Sequence, residues 1–360
     1  MSKPSLSLIA ATCGVSTATV SRALSGHAAV RPELRAEIVA AAEKHGYRRN
    51  ELVGNLMSQL RGGRTQHFLG NLAFIHVPSV GQPRLLPAQR RIIAGAVARA
   101  KELRFQLYEF SLSLDAFDPE GYGRMLRARG VQGVIFLYTE PTHVMEKFPF
   151  GEFATIEIDY GQFEPVLHTV CLDHFVSLTS ALKRVQALGY RRVGLFLTKF
   201  KDRRIAHKWS STFASFQLNS GTIGDVPMLI SEALDEGTFM RWHRRHRPDL
   251  VIGHLDEAVG WMQAAGVLVP ETTAFLSLSW TERKRACAGL DLRLEPQGEV
   301  AVEAIIAQIH RGERGLPADP RTVMVRARWV DGPTIGRMAG EKAEAAARAH
   351  STRDSTQSRP

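Results

Sequence analysis

The stretch GVSTATVSRALS, Gly14 to Ser25, crowds Ser16, Thr17, Thr19, Ser21 and Arg22 around small side chains. Hydroxyls at that density suit hydrogen bonds to phosphates or to base edges. An arginine can read a guanine through O6 and N7, and the methyl groups of Thr17 and Ala18 suit contact with a thymine methyl. Small side chains also let a helix sit deep in a groove. The plainer alternative is a Ser/Thr-rich helix start with Ser16 as its N-cap.

Three short helices must position these groups. Leu6, Ile9, Ala10 and Cys13 keep a helical period, and Gly14 breaks it. Val20, Ala23 and Leu24 mark a second helix, with Val20 and Leu24 turned to the core. RPELRAEIVAAAEKHGY is a third, with Pro32 near its start, Leu34, Ile38, Val39 and Ala42 on one face, and Gly46 as its stop. A short helix, a glycine turn and a second short helix describe a helix-turn-helix, whose second helix enters the DNA major groove. Residues 1–65 carry nine Lys and Arg against four acids, a net +5, half of the chain's +10. Residues 48–67 follow as a polar, basic linker with a weak helical stretch, Glu51 to Leu60.

The 360 residues, 44% of them hydrophobic, suffice for two or three domains with a sizeable core. Three cysteines, Cys13, Cys171 and Cys287, have no partner at metal-ligand spacing, which points to a reducing compartment. The N-terminal stretch lacks a signal-peptide run, and no segment approaches the roughly 20 apolar residues of a membrane span. The expectation is a cytoplasmic protein with no membrane partner. From Leu69 apolar strand runs alternate with amphipathic helices: LGNLAFIHV, FQLYEF, VQGVIFLY, FATIEIDY, VLHTVCLD, RRVGLFLT, DLVIGHLD and TAFLSLS are the strands. That alternation predicts parallel sheets covered on both faces, in two doubly wound lobes. RWHRRHRPD, residues 241–249, reads as a basic last turn complementing a helix dipole. The end of the chain, HSTRDSTQSRP, has the composition of a disordered tail.

Ala10, Gly14, Val15, Ser16, Thr19, Val20, Ser21, Arg22, Leu24 and Ser25, followed by Gly46, Tyr47 and Asn50, resemble the head of the LacI/GalR family of bacterial transcriptional repressors. LGYRRVGLF and AVGWMQAAGVLVPETTAFLSLSW extend the resemblance, more loosely, to about residue 335. It implies a small all-α head on a periplasmic-binding-protein-like α/β core. The expected domains are a head at 1–49, a hinge helix and linker at 50–67, a core at 68–338 and a tail at 339–360. Lobe 1 is expected at about 68–160 and 291–320, lobe 2 at about 161–290 and 321–338. The resemblance makes Thr17 and Ala18 the operator-discriminating pair. It places Leu56 as a wedge that kinks the duplex from the minor groove, with an ordinary apolar linker position as the alternative. Asn50 belongs to the same DNA-contacting set. Arg48–Arg49 stand where the family often has proline, and Gly54 weakens the hinge helix.

The family core takes a small effector between its lobes, commonly a sugar or nucleoside. By position Asp159, Arg203, Arg204, His254, Asp256, Ser279 and Trp280 are the expected effector set. His254 stands where asparagine is usual, Asp256 is displaced by Leu255, and Ser279–Trp280 replace an aromatic and an aspartate. Helix caps, surface acids and packing are the ordinary alternatives for these residues. No nucleotide-binding, nucleophile-elbow or zinc-protease motif is present, so no enzyme and no cofactor are expected. The reading is a homodimeric regulator of double-stranded DNA with a pseudo-palindromic operator. A solute-binding module and a DNA binder with an unresponsive core are the alternatives.

Overall fold

The computed structural model describes residues 6–24, 30–45, 68–77, 85–112, 118–138, 147–159, 165–221, 226–281 and 285–337. The chain divides into two units, Met1–Leu69 and Gly70–Pro360.

The first unit holds α1 (Leu6–Thr12), α2 (Thr17–Leu24) and α3 (Pro32–Lys44). Gly14 takes φ +64, a left-handed turn that glycine enters without steric penalty, and Val15 N–H donates back to the Ala10 carbonyl. Pro32 opens α3, where its missing N–H costs nothing. Ile9, Ala10, Val20, Ala23, Val30, Ile38 and Ala42 form the small core, with Leu6, Cys13, Val15, Leu24 and Leu34 packed partly against it. Val39 departs from the expected buried face and is 38% exposed, since it lies a full 100° around the helix from Ile38.

The second unit is built on two six-stranded sheets. The first runs in the order β11–β5–β4–β3–β1–β2, with β1 Gly70–Val77, β2 Phe105–Ser111, β3 Val131–Tyr138, β4 Ala154–Ile158, β5 His168–Leu172 and β11 Thr322–Val325. The second runs β12–β10–β9–β8–β6–β7, with β6 Val193–Thr198, β7 Leu229–Ser231, β8 Leu250–Gly253, β9 Ala274–Ser277, β10 Ala288–Asp291 and β12 Arg328–Val330. Pairings are parallel except β10 with β12, so both lobes are doubly wound as the strand–helix alternation implies.

The lobe boundaries differ from the expected ones. β5 pairs with β4 on one side and β11 on the other, so 168–172 and 322–325 belong to the first sheet. An apolar run such as VLHTVCLD carries no mark of which sheet it will join; the neighbour available in space decides. The chain therefore crosses between lobes from β5 into α6 (His174–Ala187), from β10 into α11 (Leu294–Arg311), and from β11 into β12. Asp173 N–H donating to the Val325 carbonyl at 2.8 Å and Ala327 N–H to Ser177 Oγ at 3.0 Å tie two crossings together.

α11 returns to the first lobe and packs on α4 (Pro87–Glu102). Their closest approach needs glycine: a Cβ on Gly95 would lie 2.1 Å from the Glu295 carbonyl oxygen, and one on Gly298 2.0 Å from that of Ile92. Arg91 clamps the same contact with two bonds to the Glu295 carboxylate, at 2.6 and 2.8 Å. Burial of Val134, Phe136, Phe148, Phe150 and Phe153 fills the other side of the first sheet.

Candidate nucleic-acid interface and effector cleft

In the head, the structure turns α2 so that Val20 and Ala23 are buried while Thr17, Ala18 and Arg22 are exposed and Thr19 is half-buried. Ser16 sits just before the helix and caps it. Its Oγ accepts from Thr19 N–H at 3.1 Å and lies 2.8 Å from Thr19 Oγ1. The capping alternative for Ser16 is thus what the geometry displays, and it fixes the first turn on which Thr17 and Ala18 ride. Ser21 lies in α2, with its side chain outside the described residues, as are Asn50 and Leu56 entirely. Val20 and Ala23 hold the helix against α1 and α3, leaving a face of small groups and one guanidinium toward solvent.

In the core, the expected residues gather at the carboxyl ends of the strands. β1 of the first sheet and β6 of the second are where strand order reverses, the points at which open α/β sheets leave a crevice. Asp159 follows β4 with φ +80, a left-handed conformation costing a non-glycine residue on the order of 1–3 kcal/mol, and its N–H donates to the Val170 carbonyl. Arg204 ends the short helix α7 (Lys199–Arg204) of the other lobe. Its Nη1 donates to Asp159 Oδ2 at 2.6 Å, with the two side chains 30% and 26% exposed. Arg203, its neighbour, is exposed.

His254, just past β8, lies with its Nε2 3.3 Å from Thr198 Oγ1 at the end of β6. The Ser279 hydroxyl makes a long bond to the His254 carbonyl, 3.5 Å. Asp256 is nearly buried at the N-cap of α10 (Glu257–Ala264) and its side chain makes no cap bond. Trp280 is half-buried against the Phe196, Phe239 and Phe275 cluster, and its backbone N–H donates to the Leu290 carbonyl. The structure thus brings Asp159 to Arg204, and His254 to Ser279, while Trp280 is engaged in packing.

Several polar residues at this place escaped the sequence reading. Glu157, two residues before Asp159, is 3% exposed and receives one hydrogen bond from Thr169 Oγ1 at 2.9 Å. Burial, helped by the Asp159 charge and opposed by the Thr169 bond, pushes its carboxyl up to about 7. His174 opens α6 with its ring 4.4 Å from that of Trp209, and burial lowers its imidazole to about 4. His76, buried at the end of β1, lies 3.4 Å from Ser111 Oγ. Asp202 is 2% exposed; its Oδ2 accepts from His207 Nδ1 at 2.8 Å and from Ser210 Oγ at 2.9 Å. Asp, His and Ser meet here in the wrong order for a nucleophile, because the serine bonds the carboxylate and not the imidazole. Only the alternation of TIEID could have flagged Glu157; the others depend on tertiary packing.

RWHRRHRPD is partly built into the core, with Arg241, Arg244 and Arg245 exposed. Trp242 and His243 are buried, with Trp242 Nε1–H donating to the Pro227 carbonyl and His243 bonded to Thr273 Oγ1. Arg192 donates to the His246 and Arg247 carbonyls, closing the end of α9 (Glu236–His246). No group of described residues could hold a metal ion, and no helix among them is long and apolar enough to cross a membrane.

Residues 5–50 match the family described as bacterial regulatory proteins, lacI family. No curated protein sequence matches the chain. Among solved structures, the chain is similar to the transcriptional regulator CelR in complex with cellobiose, at 18% identity and a TM-score of 0.57, over 92% of this chain and 100% of that one. It is similar to the lac repressor dimer bound to operator and the anti-inducer ONPF, at 17% identity and a TM-score of 0.55, over 92% and 98%. A LacI-family transcriptional regulator from Silicibacter pomeroyi aligns at 18% identity and a TM-score of 0.51, over 92% and 99%. At such identities the likeness of the core is one of fold, whereas the head is matched by its own sequence. Residues 5–50 thus match the lacI-family model, and the core has the fold seen in CelR and the lac repressor.

Proposed function

We propose that the protein is a cytoplasmic, sequence-specific DNA-binding regulator, a repressor, whose operator affinity is set by a small molecule held between the two core lobes. The observation that carries this reading is the disposition of α2. Its apolar side is fully used by the head core, while Thr17, Ala18 and Arg22 face solvent on a helix capped by Ser16. That is the geometry of a helix that reads a major groove. Residues 1–49 are the DNA-binding head and 50–67 the hinge, in which Asn50 and Leu56 meet the duplex and Leu56 opens a base step. Two such heads in a homodimer read a pseudo-palindrome, because a two-fold protein matches a two-fold site.

A sugar or related metabolite is the effector class. The polar ends of β4, β6, β8 and β9, with Asp159, Arg204, His254 and Ser279, support it, and so does the cellobiose found in the CelR complex. Effector and operator then share one coupling free energy, which is reciprocal. The protein carries out no chemical conversion in this reading.

The test is selection of bound sequences from random duplex DNA with the full-length protein at stated salt. An enriched palindrome is expected. Salt-sensitive binding with no enriched sequence would overturn sequence-specific regulation. Screening sugars against the selected operator then separates a responsive core from one that has lost its effector.

A further inference from the structure

We propose that Asp159 and Arg204 form a latch that holds the two core lobes closed on each other. Each charge is presented by a constrained turn. Asp159 has φ +80 and is fixed through its N–H to the Val170 carbonyl on β5. Arg204 precedes Ala206 and His207, at φ +52 and +57, two successive non-glycine residues in the left-handed region. Asp202 holds that second turn from below. Its carbonyl accepts from His207 N–H at 2.8 Å, and its carboxylate takes the His207 imidazole and the Ser210 hydroxyl. Strain of this kind persists where surrounding bonds over-determine it, and on each side the bonds aim one charged group across the cleft. The pair is made by side chains from different lobes, at 2.6 Å.

The lobes are also joined through three chain crossings, which permit hinge motion. An ion pair beyond the hinges biases that motion toward closure. Both side chains keep about a quarter to a third of their exposure, so water and salt reach the pair and its hold is conditional. A ligand that binds these charges must compete with the pair for one or both partners.

The test is the distance between spin labels on the full-length, ligand-free protein, attached through Glu120→Cys in lobe 1 and Leu218→Cys in lobe 2. Both positions are strongly exposed, and a Cys13→Ser background removes the partly accessible native thiol. With labelled protein diluted in an excess of unlabelled protein, so that a dimer carries one labelled protomer, the unaltered latch is expected to give a single short distance population. Arg204→Gln and Asp159→Asn should each shift it to longer, broader distances. Raising salt from about 0.1 to 1 M, where the Debye length falls from about 10 to 3 Å, should do the same to the wild type and little to either variant. A wild-type distribution that ignores salt and coincides with both variants overturns the latch. The measurement needs neither DNA nor effector, so its outcome is independent of the regulator reading.

Discussion

Thr198 and His254, at the ends of adjacent strands β6 and β8, meet with Oγ1 and Nε2 3.3 Å apart across the point where strand order in the second sheet reverses. The same Thr198 oxygen accepts the Lys201 N–H that starts α7, at 3.4 Å. A hydroxyl can do both, accepting the amide and donating to the imidazole. One side chain therefore sets the start of the helix that carries Arg204 and the orientation of the histidine on the neighbouring strand.

Thr198→Val keeps the shape and loses both bonds. The expected cost is about 1 kcal/mol from the cap, with a further loss of about 1 kcal/mol where His254 gives up its partner. Thr198→Ser should retain most of the stability. Denaturant unfolding of the three proteins at one pH checks this, and equal midpoints would refute the shared role.

Arg22 tests the reading face of the head. It is exposed on α2, whose buried side chains are Val20 and Ala23. Arg22→Ala should leave the head folded, because the buried side chains Val20 and Ala23 are untouched. It should cost about 1–3 kcal/mol in binding to the selected operator and relax preference at one base pair per half-site. A uniform loss over all sequences, with a shallower salt dependence, would assign Arg22 to a phosphate instead.

Much of the fold was readable because its signals are local. The head announces itself through Gly14, Ser16 and the spacing of Ile9, Val20 and Ile38, and those residues do in the structure what their types suggest. The alternation of strands and helices gave two doubly wound lobes for the same reason. The allotment of β5 and β11 was not readable, since sheet partners are chosen by tertiary packing. The cleft was half legible. Asp159 and Arg204 were expected at the cleft from the resemblance, yet nothing in DYGQ or KDRR says that the two charges meet. Thr198 and Glu157 were missed because a hydroxyl at a strand end and a carboxylate inside an apolar strand have no sequence signature apart from their neighbours.

The approach of α4 to α11 gives a third expectation. A Cβ on Gly95 or Gly298 would strike backbone oxygens, and backbone cannot rotate away as a side chain would. Either glycine changed to alanine must push the helices apart, at an overpacking cost of about 1–3 kcal/mol, despite the better helix propensity of alanine. Thermal unfolding of Gly298→Ala measures the sign. A stabilised variant would mean that the helices separate without loss.

Glu157 and His174 make the stability of the core depend on pH in opposite senses. The carboxyl of Glu157 is pushed up to about 7 in the fold, from an ordinary value near 4.5, chiefly by burial. The folded state therefore holds a proton that the unfolded chain releases. That contribution is complete below about pH 4.5 and is lost as pH rises through 7. The imidazole of His174 is lowered to about 4 from 6.5, again chiefly by burial, so its contribution is complete above 6.5 and is lost as pH falls toward 4. Between them they leave a stability maximum in the mildly acidic range. Glu157→Gln keeps an acceptor for the Thr169 hydroxyl and removes the titration. At pH 8 it should be more stable than wild type by up to about 3 kcal/mol, since 1.36 kcal/mol accompanies each pKa unit. At pH 4 the two should be nearly equal. Unfolding free energies at those two pH values decide the matter: a difference that does not grow with pH would mean that Glu157 is already ionised in the fold and carries a partner for its charge.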